Sequence, residues 1–265
     1  MLFMFFAVGV AGAFFVGSLI ALYLGQRLGL RYRKQGEASG VGGLGTVDGA
    51  IFGLMGLLLA FTISGALQRF DDRRQLVLQE ASAVTVAYDR LDLLDPQVGR
   101  PLQAKLKKYV GARVDIYRMQ HDFMLWHGTE EFSREQQLLA DRFKHDLWSS
   151  AVAACPKEAY PPACGLVLPA LNSVFDAARQ RAGAAEKHPP DVLYGLLFGL
   201  GLGCSLLAGF GMAASGGRSW IHMVLFAGTL TAALYVVTDM EYPRLGLIRI
   251  ESFDHFLTDT LDQMR

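Results

Sequence analysis

The sequence predicts an all-α polytopic membrane protein, with four transmembrane helices and a soluble helical bundle inserted between the second and third. Three observations predict it. First, four stretches contain no Asp, Glu, Lys or Arg: Leu2–Leu24 (23 residues), Gly49–Leu67 (19), Val192–Ala214 (23) and Trp220–Thr238 (19). A helix crosses the bilayer core in roughly 20 apolar residues. Second, the 124 residues of Gln68–Asp191 hold 17 Lys/Arg and 17 Asp/Glu, so they are a different material, too long for a mere connector. Third, strand signals are missing: there is no sustained apolar/polar alternation and no Asn-Gly turn, Asn172 being the only Asn. The charged fraction of 19% lies below the usual ~25% of soluble domains, which argues against a soluble globular enzyme. The net charge is zero, 25 basic against 25 acidic residues, without the clustered basic excess of a nucleic-acid binder.

The first span, Leu2–Leu24, reads as retained rather than as a cleaved signal peptide. Nothing basic precedes it, its apolar run is long, and Arg27, Arg31, Arg33 and Lys34 follow as a stop-transfer pattern. Gly25–Asp48 reads as a short loop, basic at its start and Gly-rich at its end. The second span continues without Gly or Pro into a stripe of Phe70, Val77, Ala81, Val84, Tyr88 and Leu91. It is thus one long helix that leaves the membrane and stops near Asp95-Pro96. Further helices are predicted over Pro101–Trp126, with Leu102, Leu106, Tyr109, Ile116 and Phe123 on one face, and over Glu130–Ala154, with Phe132, Leu139, Phe143 and Leu147. A last one runs over Gly165–Lys187, closed by Pro189-Pro190. Gly217–Ser219 turns the chain between the third and fourth spans. The resulting divisions are 1–67 (two spans and the basic loop), 68–191 (bundle), 192–238 (two spans) and 239–265 (polar tail).

Chemistry-bearing motifs are few. Gly40-Val-Gly42-Gly43-Leu-Gly45 spells G-x-G-x-x-G, but no strand precedes it and no Lys-Ser or Lys-Thr follows, so it reads as a flexible loop. The six His residues form no H-E-x-x-H, and His121-Asp122 and His145-Asp146 are not assigned a metal. No G-x-S-x-G or S-x-x-K is present, so no enzyme, cofactor or metal is expected. Gly195, Gly199 and Gly203 recur every four residues, and Gly49 and Gly53 repeat that spacing. Such faces let membrane helices approach closely, within one chain or between subunits. Cys155 and Cys164 bracket a Pro-rich loop, where they are either a disulfide, which needs an oxidising compartment, or two free thiols. Asp239 and Glu241 at the exit of the fourth span are candidate ion-mouth acids.

Two segments carry a family resemblance. One is Gly56-Leu-Leu-Leu-Ala-Phe61 with Gln68-Arg-Phe-Asp71 and Glu80-Ala-Ser-Ala-Val-Thr-Val-Ala-Tyr88. The other is Arg218-Ser-Trp220, the fourth span, and Asp239-Met-Glu-Tyr-Pro243-Arg-Leu-Gly246-Leu-Ile-Arg-Ile250. Together they resemble the bacterial bestrophin-like domain family, distantly related to bestrophins, and the similarity in layout covers nearly the whole chain. The resemblance implies a pentameric homo-oligomer in the lipid bilayer that passes small inorganic ions, with apolar side chains of the second span at the pore's neck. Leu54, Leu58 and Thr62, at i, i+4 and i+8, are the pore stripe it suggests. The acidic cluster that binds calcium in animal bestrophins is reduced here to Asp239 and Glu241.

Bestrophins keep both termini and the insert in the cytosol. Here Arg27, Arg31, Arg33, Lys34 and Arg218 mark the opposite loops as cytosolic. Arg69, Arg73, Arg74, Arg179, Arg181 and Lys187 pull the other way, though long domains count less in this rule. The expectation is an inner-membrane, multi-pass protein with its insert on the periplasmic side. Its function is then an oligomeric ion channel, or alternatively a non-conducting envelope protein whose insert senses stress or binds a partner.

Overall fold

The computed structural model describes residues 2–34, 44–123, 130–156, 162–185, 187–213, 220–241 and 251–264. They form α1 (Leu2–Lys34), α2 (Leu44–Leu91), α3 (Pro96–Phe123), α4 (Glu130–Ala153), α5 (Cys164–Ala185), α6 (Asp191–Met212), α7 (Trp220–Glu241) and α8 (Glu251–Gln263). No strand occurs among the described residues. Two compact units result. One holds α1, α2 as far as Gln68, α6 and α7. The other holds Arg69–Lys187 and α8.

Four helices, all wholly or partly in the first unit, contain segments long and apolar enough to cross a membrane: Ala7–Tyr32, Gly45–Leu91, Asp191–Met212 and Trp220–Glu241. A lipid solvent gives apolar side chains no reason to leave it, so helices there associate through close packing. The contact of α1 with α6 is of this kind. A Cβ on Gly25 would stand 2.0 Å from the Leu206 carbonyl oxygen, and one on Gly209 would stand 2.0 Å from that of Leu22. A Cβ on Gly29 would stand 2.7 Å from that of Ala213, and one on Gly201 would stand 2.9 Å from the Phe14 ring. Around these backbone contacts sit two small clusters. Phe14, Met55, Leu197, Cys204, Leu230 and Leu234 make one, and Leu22, Met223 and Ala227 the other.

The second unit has an ordinary aqueous core. Its stripes are Ala81, Val84, Ala87 and Leu91 of α2, Leu102, Leu106, Tyr109 and Val110 of α3, Leu147 and Ala151 of α4, and Val167, Leu171 and Val174 of α5. Leu91, Leu106, Leu147 and Leu171 are fully buried, each worth about 1.5–3 kcal/mol of transfer free energy. Edge-to-face contacts of Phe175 with Tyr109 and with Trp148 close one side.

The structure corrects four expectations. Gly25–Lys34 is not loop but the last turns of α1, where Arg27 and Arg31 sit near a helix C-terminus that favours cations. Second, α3 starts at Pro96 rather than Pro101. Asp95 caps it, its Oδ1 accepting from the Gln97 N–H at 2.8 Å, so Asp95-Pro96 serves as a start signal as well as a stop. The tail is not merely polar: α8 buries Leu257 and Met264 in the bundle core, and Lys107 Nζ donates to the Met264 carbonyl at 2.6 Å. Finally, Leu139 is exposed. The buried side of α4 is Ala140, Leu147 and Ala151, because the helix rotates to place Trp148 beside Phe175. The Gly40–Gly43 stretch, the Gly217–Ser219 turn, Trp126 and Pro243 lie outside the described residues.

Candidate functional site

Two features stand apart from ordinary packing. The first is a face of α2 in its apolar part. Leu54, Leu57 and Phe61 are 50%, 53% and 67% exposed within one chain, and Ala50, Gly53, Ala60 and Ser64 continue the same open stripe at helical spacing. Met55 is buried on the opposite side, with Ile51, Leu58 and Leu59 packed beside it. Of the three residues suggested as a pore stripe, Leu54 therefore lies on the open face, whereas Leu58 packs against the membrane core. Thr62 is half-buried, its hydroxyl donating to the Leu58 carbonyl at 2.6 Å.

Gly49, Gly53, Gly195, Gly199 and Gly203 have nothing of this chain within 4 Å of where a Cβ would sit. In the membrane unit the close-packed glycines are Gly25 and Gly29, four apart on α1, and Gly201 and Gly209, eight apart on α6. Asp239 and Glu241, at the end of α7, are both buried. Cys155 and Cys164 are joined as a disulfide across the end of α4 and the start of α5.

The second feature is a buried ionic hub in the bundle. The Glu80 carboxylate, on α2, is 2% exposed. Arg181 of α5 donates to it from Nη1 at 2.9 Å. The Tyr117 hydroxyl of α3 lies 2.9 and 3.1 Å from its two oxygens. Arg113 of α3 approaches with Nε at 3.5 Å, an ion pair without hydrogen-bond geometry, while its Nη2 donates to Tyr117 and to the Ala178 carbonyl. The Arg181 guanidinium also lies over the Tyr117 ring, 3.5 Å from its centroid. Two turns earlier on α2, Arg73 donates to the carbonyls of Ala184 at 3.2 Å and Lys187 at 2.9 Å. These oxygens belong to the end of α5 and the residues just beyond it, where helical carbonyls lack intrahelical partners.

An isolated carboxylate here would be prohibitive, so two guanidiniums and a phenol compensate it. Burial raises the Tyr117 hydroxyl pKa, and Glu80 adds to it. Burial likewise pushes Tyr109 up to about 12, with Arg113 opposing. Burial works to lower Arg113, but Tyr117 and Glu80 outweigh it and leave that guanidinium more firmly protonated than usual.

The hub was not foreseen from the sequence, yet it leaves a trace there. Positions 73, 77, 80, 84, 87 and 91 form one 4-3-4-3-4 stripe with charges at 73 and 80, and 167, 171, 174, 178 and 181 form another that ends in Arg181. A charge in core register needs a buried partner. Among the described residues, no three His, Cys, Asp or Glu side chains gather as a metal site.

A four-span helical membrane protein with a helical bundle between its second and third spans is the class this architecture defines. The bestrophin-like domain model matches residues 12–252, and the chain belongs to that family. No curated protein matches the chain. Among solved structures, it is similar to two crystal structures of a bacterial bestrophin homologue from Klebsiella pneumoniae, each with a single substitution to threonine. Identities are 15% and 13%, TM-scores 0.64 and 0.65, covering 94% of this chain in both and 99% and 98% of the other. A further crystal structure described as a membrane protein is 15% identical over 94% of this chain and 98% of its own, with TM-score 0.60. At these identities the likeness establishes a shared fold.

Proposed function

We propose that copies of this chain assemble around the open face of α2 and form a bestrophin-type ion channel in the bacterial inner membrane. The observation that carries the reading is that face: large apolar side chains in a spanning helix, alternating with Gly, Ala and Ser, and half or more exposed within their own chain. Family membership supports it. In such a ring Leu54, Leu57 and Phe61 line the constriction, and Leu58 and Thr62 support it from behind. An apolar constriction gates by dewetting. The open glycines Gly49, Gly53, Gly195, Gly199 and Gly203 then serve contacts between subunits, five by family analogy. Asp239 and Glu241 shape the ion mouth, since buried carboxylates at membrane depth usually mark ion paths.

Purified protein in liposomes should pass small ions, and Phe61→Ala should raise the flux. Folded protein that carries no flux across a range of pH and calcium, or that is monomeric by native mass, removes this reading. A monomer or simple pair favours a non-conducting envelope protein that presents the bundle to a partner, as the bundle's own complete core allows. The insert is assigned to the periplasm, because Arg27 and Arg31 end α1 and the disulfide suits an oxidising compartment. Alkaline-phosphatase activity of a fusion at residue 150 supports this; activity of a cytosol-only reporter there sinks it.

A further inference from the structure

A hydroxyl in a spanning helix has a local way to satisfy itself: it donates to the carbonyl one turn back on its own helix. Thr62, Ser205 and Thr238 do so, to Leu58 at 2.6 Å, Gly201 at 2.9 Å and Leu234 at 3.0 Å. Ser18 of α1 does not. It is fully buried, and its Oγ has no hydrogen-bond partner among the described residues. Lipid holds no water that could satisfy such a group, and an orphaned hydroxyl destabilises the fold. Opposite it on α6 stands another buried serine. The two helices run parallel, since the Phe14 ring meets Gly201 and the Leu22 carbonyl meets Gly209. Ser18 lies one turn from both Phe14 and Leu22, and Ser205 lies one turn from both Gly201 and Gly209. One seam therefore brings the two serines together, both fully buried. The Ser205 hydroxyl gives its proton to Gly201 and keeps lone pairs for a further donor.

We propose that the α1–α6 seam binds one water molecule between Ser18 and Ser205, which ties the two helices at that level. The two hydroxyls share the seam without bonding to each other. A bridging molecule must accept a proton from Ser18 and donate one to Ser205, and water does both. The competing occupant of a hydroxyl-lined seat is a dehydrated cation. Phe14–Gly25 of α1 and Leu197–Gly209 of α6 contain no Asp or Glu, and neither does Trp220–Thr238 of α7, which packs on them. An ion there would stand uncompensated, at a desolvation cost far above that of a neutral molecule. The water belongs to the four-helix unit alone and does not depend on conduction.

The test uses the full chain in detergent. Ser18→Ala and Ser205→Ala should each lower the apparent melting temperature by about 2–4 °C. The double variant should fall no further than either, because each change removes the same bridge. A Ser18→Ala variant that melts unchanged or higher overturns the proposal, since deleting an orphaned hydroxyl relieves the fold. Additive losses overturn it as well, since each serine then bonds within its own helix. A direct bond between the serines would mimic the coupled result, so a high-resolution crystal structure of the unaltered chain decides that point. The expected result is a density peak about 2.7–3.0 Å from both Oγ atoms. The two oxygens in contact with each other, or no peak between them in a map that shows other buried waters, overturns the proposal.

Discussion

The two compact units of this chain solve the same problem with opposite means. The bundle buries large side chains: Leu91, Leu106, Leu147 and Leu171 vanish from its surface, and it can bury Glu80 because two arginines and a tyrosine surround it. The membrane unit buries fewer large side chains, Leu22 and Met223 among them. Its closest contacts are glycine against carbonyl, at Gly25 and Gly209, and its large apolar side chains mostly face outward. Water rewards burial of apolar area, whereas lipid rewards only fit. Stability should thus hang on volume and charge in one unit, and on the absence of a side chain in the other.

The largest expected effect tests that contrast directly. Gly25→Leu or Gly209→Leu places atoms where a carbonyl already stands, and no rotamer moves a Cβ. Each should cost more than about 4 kcal/mol and abolish the yield of folded protein in detergent. Gly199→Leu enters open space. It should leave the single-chain fold intact by circular dichroism but, if copies pack there, shift the assembly on native mass.

In the bundle, Glu80→Ala leaves two guanidiniums buried without their carboxylate and should cost about 3–5 kcal/mol in thermal or denaturant unfolding. Leu106→Ala, a cavity with no charge, should cost about 2–5 kcal/mol, and the two losses should add if the sites act independently. Opening the disulfide with a Cys155→Ser, Cys164→Ser double variant should cost less, roughly 2–3 kcal/mol for so short a loop. Its measured cost should vanish if the protein is made where thiols stay reduced.

The smallest effect is on pH. Tyr109 holds its proton up to about 12 when folded, against 10.0 for an ordinary tyrosine. The contribution is complete below pH 10. It falls as pH rises from there, because the unfolded chain then loses protons that the folded bundle keeps, and it is gone above about 12. Tyr109→Phe should flatten that alkaline slope without altering stability near neutrality by a comparable amount.

These differences explain what the sequence makes legible. Charge-free runs of 19 to 23 residues announce the four helices, because a bilayer imposes a length that nothing else in the chain mimics. The stripe Val77, Ala81, Val84 and Leu91 reads out the buried side of α2 for the same reason that any aqueous core is readable. The α1–α6 contact is hidden: Gly25 and Gly209 look no different from Gly49 or Gly195 until the partner backbone is known. Fold similarity to bestrophin homologues follows from layout, while the open face of α2 depends on azimuth, which Leu54, Leu58 and Thr62 at i+4 spacing approximate only in part. The hub needed two stripes to be read for their polar intruders rather than their apolar members.

The docking of α8 has a consequence for how the protein is made. Leu257 and Met264 fill the bundle core, yet they leave the ribosome only after α6 and α7. The bundle's earlier helices must therefore wait, with an unfilled cleft, while two more spans are threaded into the bilayer. The core of the soluble part is thus completed only after the last membrane helix has been synthesised.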